Sequence, residues 1–267
     1  WVQVRRFGYI MRSTVGSLFR KSDQDHGSNL SPFQAVTTAL AGTVGTGNIA
    51  GVTGAIFVGG PGAVFWMWVS AFFGMCTKYA EIALSIQYRE TDHGGAHRGG
   101  PMYYIEKGLG MKWLAVLFSL VAGFACFGIG NISQSSEIAG AMEGLFGMSG
   151  LTTGVLLAVV VGIVVLGGVQ RIGRVTSYMV PFMAIFYIGA GLAVILLRID
   201  QVPAALASIF TSAFSFEAVG GGVFGYAIMV AMRQGFARGV FSNEAGLGSA
   251  PMAHAASETQ EPVEQGM

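Results

Sequence analysis

In this 267-residue chain 52% of the residues are hydrophobic and only 11% charged, less than half the roughly 25% charge of soluble domains. The formal net charge of +1 gives no basic footprint for nucleic acid. Lys and Arg are segregated, and the bare stretches between them exceed the ~20 residues that cross a bilayer, so the chain reads as an all-α polytopic membrane protein.

Residues 1–30 form a basic, amphipathic segment beginning "WVQVRRFGYIMRS", with neither an initiator methionine nor the apolar core of a signal peptide. A first span is expected over about 31–58 and a second over about 61–88, followed by the glycine- and charge-rich loop "TDHGGAHRGGPMYYIEKGLG". The third, about 112–143, is long enough to require tilt. The fourth covers about 151–168 and the fifth about 172–197, where Pro181 predicts a kink. Five helices thus occupy 31–198. An extracellular surface segment follows over 199–221, partly amphipathic over 199–218. The sixth region, 222–256, is interrupted by "RQGFARGVFSNEAGLG", and 257–267 is a cytoplasmic tail or the start of a loop.

Basic residues set the direction. Arg5, Arg6, Arg12, Arg20 and Lys21 precede the first span; Lys78, Arg89, Arg98, Lys107 and Lys112 lie at the second-to-third connection; Arg171 and Arg174 join the fourth to the fifth. By the positive-inside rule these sides, and the N-terminus, are cytoplasmic. Trp66 and Trp68 then fall near the outer interface and Trp113 near the inner one, where such rings anchor. Cys76 and Cys126 sit inside apolar spans as packing residues. Lys78 and Glu81, three apart on one helix, suggest a local ion pair. His93 and His97 in "HGGAH" read as a solvated loop, with no cluster to make a metal site.

Two spans carry matching interruptions. "GTGNIAG" (45–51) places three glycines, a threonine and an asparagine inside an apolar run, although each helical glycine costs about 1 kcal/mol relative to alanine. At an offset of 195 residues, Asn48-Ile-Ala-Gly-Val-Thr-Gly-Ala aligns with Asn243-Glu-Ala-Gly-Leu-Gly-Ser-Ala, sharing Asn, two Ala and Gly. The first span runs outward and the sixth inward, the pattern of an inverted repeat whose halves each open with a broken helix. Irregular backbone at that depth must line a cavity or be buried in protein. Unwinding over about Thr43 to Asn48 aims amides at a carboxylate and frees carbonyls and the Thr43 and Thr46 hydroxyls for a hard cation such as sodium. The competing reading is that Gly45, Gly47 and Gly51 merely permit close helix packing.

At these residues the chain resembles the alanine/glycine:cation symporter family, the sodium:alanine symporters. The stretches that carry the resemblance are "SPFQAVTTALAGTVGTGNIAGVTGAIFVGGPGAVFWMW", "KYAEIALSIQYRE", "GGPMYYIEKGLG", "GNISQSSEIA" and "ARGVFSNEAGLGSAPMAHAA". The resemblance implies a leucine-transporter-type inverted-repeat fold in the plasma membrane, cotransporting sodium, with no other cofactor, and alanine or glycine. Such symporters are longer; the chain is expected to be a fragment holding the first five-helix repeat and the first helix of the second, inactive alone.

Resemblance and residues agree on Thr46, Gly47 and Asn48 for substrate and on Thr43, Thr46 and Asn48 for the cation. Gln134, roughly 33 Å along the third helix axis, is brought near midplane by tilt and joins the substrate set; its alternative is a plain interhelical hydrogen bond. Phe241, Ser242, Asn243 and Gly246 flank the second break and complete the set. Glu244, an intramembrane carboxylate, either pairs structurally with Arg238 or serves the ion pathway; the pair is preferred. An enzyme is disfavoured, because "GTGNIAG" is not preceded by a strand as a dinucleotide loop is. A channel is disfavoured because no repeated pore loop or charge ring occurs. The same fold with another ion or substrate is the remaining alternative.

Overall fold

A computed structural model describes residues 5, 7–9, 11, 29–214 and 223–266; most of the 1–30 segment and residues 215–222 lie outside the described set. Helix dominates, and the only strands among the described residues are the short antiparallel pair β1 (Glu90–Thr91) and β2 (His97–Arg98). The helices are α1 (Pro32–Thr43), α2 (Ala50–Gly59), α3 (Gly62–Gln87), α4 (Pro101–Leu109), α5 (Lys112–Ala125), α6 (Ser133–Phe146), α7 (Gly150–Val165), α8 (Gly168–Leu197), α9 (Val202–Phe214), α10 (Val223–Asn243), α11 (Ser249–Ala255) and α12 (Pro262–Gly266). Among the described residues, α8 and the continuous run Lys112–Phe146 are long and apolar enough to cross a membrane, and the interrupted pair α1/α2 makes a third such span. Four of the six expected spans are broken, short or more polar than these two. Pro181 lies inside α8 without ending it.

The chain divides into two compact units, residues 1–43, 75–180 and 244–267 forming one, and 44–74 and 181–243 the other. Both interrupted helices are divided at their interruptions.

In the second unit, small residues let helices approach. A Cβ added to Gly59 would lie 3.2 Å from Ala231 Cα on α10. Further along α10, a Cβ at Gly235 would meet Ala63 O at 2.5 Å and one at Gly239 would meet Ser70 at 2.7 Å, both on α3. Close approach of this kind is how helices associate in lipid, where burial of apolar surface supplies no drive. Beside this contact Phe65, Trp66, Phe210, Phe214 and Phe236 form an aromatic cluster, with Phe65 and Phe214 centroids 4.8 Å apart. Trp66 therefore packs against protein aromatic rings, its Nε1 buried without a hydrogen-bond partner. Trp68 and Trp113 are exposed.

In the first unit, the third expected span is α5 and α6 joined by a seven-residue π-helical segment, Cys126–Ile132. Helices α6 and α7 form a hairpin turned by Gly147 (φ 66°), and the Ser149 hydroxyl caps α7 through the Thr152 amide at 3.2 Å. A clasp closes this unit. Leu30 and Ser257 make a parallel bridge, with Leu30 N–H donating to Ala256 O (2.9 Å) and Glu258 N–H to Leu30 O (3.0 Å). The Arg89 guanidinium donates to Ser257 O (2.7 Å). Asn29 holds the β-hairpin through the His97 amide (2.7 Å) and Gly95 O (2.9 Å). Burial, and secondly the Arg89 charge, hold the His97 imidazole below its ordinary value against the opposing pull of Glu258.

Candidate functional site

The first interruption is short. α1 ends at Thr43, whose hydroxyl turns back to Ala39 O (2.9 Å). Gly45 is extended, a single 3-10 turn spans Thr46–Asn48, and α2 restarts at Ala50. The Asn48 and Ile49 amides are taken by Gly45 O and Thr46 O, both at 3.0 Å.

The second interruption has a different build. α10 runs through Asn243, and the turn Glu244–Gly248 is bent by positive φ at Glu244 (52°), Gly246 (84°) and Gly248 (80°) before α11 begins at Ser249. Positive φ is uncommon outside glycine, so Glu244 is held there by its surroundings. Asn48 thus stands at the end of its break, whereas Asn243 immediately precedes its own. The offset that aligns the two motifs leaves the breaks several residues out of register.

Within the second unit the two elements meet. The Ser242 hydroxyl donates to Asn48 Oδ1 at 2.7 Å. A Cβ on Gly47 would lie 3.0 Å from Phe241 Cε1, so the ring covers that glycine. The Arg238 side chain lies along Gly51, and its guanidinium carbon sits 5.9 Å from the Phe241 ring centroid, within cation–π range. Gly47, Asn48, Gly51, Arg238, Phe241 and Ser242 form one half-buried cluster. Gly47 and Gly51 therefore do admit close packing, and they bring Asn48 beside α10.

Thr43, Gln134 and Gly246 belong to the first unit. Gln134 is half-buried and follows the π-helical segment by two residues, a distortion often found at functional positions. The Gly246 N–H donates to Glu81 Oε2 at 3.2 Å, and the Ser249 hydroxyl donates to Glu244 Oε2 at 2.6 Å. Glu81 is thus spent on the second break and not on Lys78, whose Nζ has no hydrogen-bond partner; the local pair expected from their spacing is not made. Ser249 and Glu81 are contributors that spacing did not reveal, since Gly246 lies 165 residues from Glu81.

The sodium:alanine symporter family model matches residues 1–267. The chain is 51% identical to the sodium/alanine symporter AgcS of Methanococcus maripaludis and 50% identical to an uncharacterized transporter of Haemophilus influenzae, each over the whole chain and 58% of the relative. It is 43% identical to the probable sodium/glutamine symporter GlnT of Bacillus subtilis, over 90% of the chain and 49% of that protein. The chain spans 49–58% of the length of these relatives.

Proposed function

The chain belongs to the sodium:alanine symporter family, and from that membership we propose that it carries the substrate-binding core of a secondary transporter in the plasma membrane. The transporter moves a small neutral amino acid, alanine or glycine, with sodium influx by alternating access. The fold is the leucine-transporter type, with the N-terminus cytoplasmic; the chain supplies the first five-helix repeat and the broken helix that opens the second.

The observation that carries this reading is the 2.7 Å Ser242–Asn48 hydrogen bond beside the Gly47–Phe241 contact. It places residues of both interrupted helices at one point. Backbone amides at the start of α2 suit a carboxylate, as helix N-termini do. The second break is less available for that task, because Glu81 already accepts from Gly246. Within the second unit Phe241 covers a small side chain beside Thr46, Gly47, Asn48, Ser242 and Asn243; Gln134 and Gly246 are substrate residues on the ground of the resemblance. Thr43, Thr46 and Asn48 supply hard oxygen ligands for sodium.

Counterflow of labelled alanine, glycine and glutamine, with and without sodium, in vesicles holding a full-length transporter that contains these residues tests the proposal. Sodium-stimulated alanine or glycine exchange is expected; glutamine exchange alone, or exchange indifferent to sodium, would overturn it.

A further inference from the structure

Gly110 (φ 69°) ends α4, and two residues join that helix to α5. Between the two lies a groove of about 390 Å³. Met102, Tyr103 and Glu106 form its α4 wall, and Ala115, Val116, Ser119 and Leu120 its α5 wall, one stripe of each helix at three- and four-residue spacing. Ala115 is buried, while Val116 and Leu120 are 51% and 57% exposed. The Ser119 hydroxyl donates to Ala115 O at 2.9 Å, so its donor is spent within the helix. Charge lies at one end. Lys112 opens α5, and from Trp113 to Ile129 the chain carries none, so Lys112 marks the water boundary of a run long and apolar enough to cross a membrane. Glu106 Oε1 stands 3.9 Å from Lys112 Nζ, with side chains 50% and 79% exposed. Lys107 is engaged elsewhere, on Glu90 at 2.9 Å. An exposed pair as long as Glu106–Lys112 contributes little by itself, and both charges remain open to a ligand. From Lys112 to Leu120 the groove descends about 12 Å along α5, most of the ~15 Å of hydrocarbon in one leaflet.

One acid and one base at the boundary, above an apolar trough, complement a zwitterionic amphiphile. We propose that the groove binds a membrane phospholipid with a phosphoethanolamine headgroup: Glu106 accepts from its ammonium, Lys112 donates to its phosphate, and one acyl chain lies over Ala115, Val116 and Leu120. Charge-assisted hydrogen bonds at both ends of the headgroup set its orientation. Competing lipids bring similar chains, so discrimination rests on the headgroup. A trimethylammonium has no N–H to give Glu106, and an anionic glycerol headgroup places a second negative charge beside that carboxylate without a cation to offset it. The site lies apart from the residues proposed for transport and requires only that the chain be embedded in a bilayer.

Thermal unfolding of the delipidated protein in detergent, with phosphatidylethanolamine, phosphatidylcholine or phosphatidylglycerol of identical chains added at equal mole fraction, tests the site. Phosphatidylethanolamine should raise the midpoint by about 3 °C more than either other lipid, the scale for a ligand at tenfold over its dissociation constant. Glu106→Gln should remove that advantage, as should Val116→Trp, which fills the trough from an exposed wall. Glu90→Gln, which changes a carboxylate outside the groove, should keep it. Equal shifts for the three lipids, a larger shift with phosphatidylglycerol, or an advantage that survives Glu106→Gln overturns the proposal. If the Glu106 variant does not fold, the parent protein irradiated with a diazirine-bearing phosphatidylethanolamine decides. Adducts within 102–120 that plain phosphatidylethanolamine displaces and phosphatidylcholine does not support the site; adducts only elsewhere, or displaced equally by both, overturn it. Neither readout needs uptake, so a protein that fails to exchange alanine would defeat the transport reading and leave this result standing.

Discussion

Gly47 shows how a single missing methyl can matter. Its added Cβ would sit 3.0 Å from the Phe241 ring edge, tighter than ordinary van der Waals contact, so the ring must shift by a few tenths of an ångström. The proposed substrate shares that ring. Gly47→Ala is therefore expected to raise the KM for alanine several-fold, and more for alanine than for glycine, whose lack of a methyl leaves room. Uptake kinetics with both substrates check it; equal changes would argue that the ring does not line the pocket. The break at Gly47 and Asn48 was legible because polar or conformationally permissive residues stand out against a long apolar run, whereas nothing in the sequence singles out the Phe241 ring as the cover of Gly47. Lys78 and Glu81 were misleading for the opposite reason. Spacing of three on a helix suggests a neighbourly pair, and only tertiary structure brings Gly246 to Glu81.

Helix boundaries were readable where composition changes sharply. α3 begins after Pro61 and α7 after the Ser149 cap, each within a residue of the expected start. The π-helical segment at Cys126–Ile132 was not, since "CFGIGNI" contains no residue that demands one wider turn over an α-helical one. Nor was the different build of the two breaks. One is a 3-10 turn led by an extended glycine and the other a run of left-handed residues, and matched Asn and Gly letters do not distinguish these. The α3–α10 contact yields an element-scale prediction. A methyl at Gly235 would strike Ala63 O at 2.5 Å, and backbone cannot step aside as a side chain end can. Gly235→Ala is expected to destabilise the fold by about 1–3 kcal/mol, the cost of overpacking, whereas Gly189→Ala, with nothing within 4 Å of its Cβ, should be near neutral. Thermal unfolding in detergent compares the two.

At the scale of the molecule, the clasp joins parts of the chain that lie far apart in sequence. Leu30 is 1% exposed and Ser257 fully buried. His97, on the hairpin that Asn29 holds, gives the clasp a pH dependence. Its imidazole is held below its ordinary value, so the unfolded chain takes up a proton first as pH falls. The stability His97 permits is present above about pH 6.5 and declines as pH drops through the folded value. Hydrogen exchange of the Glu90–Arg98 amides should be faster at pH 5 than at pH 8 after correction for intrinsic rates, and His97→Gln should flatten that difference.

The bridge from Leu30 to Ala256 and Glu258 uses main-chain atoms at both ends, and its two sides are separated by more than two hundred residues. During synthesis the start of the first span can reach that pairing only after the last of these residues has left the ribosome. Loop closure over such a separation is slow relative to local helix formation. Until then the leading helix must wait in the bilayer, or against a chaperone, with its entry unsecured. The bridge therefore dates a step in biogenesis: protease resistance at residues 29–31 should appear only in nascent chains extended past Glu258.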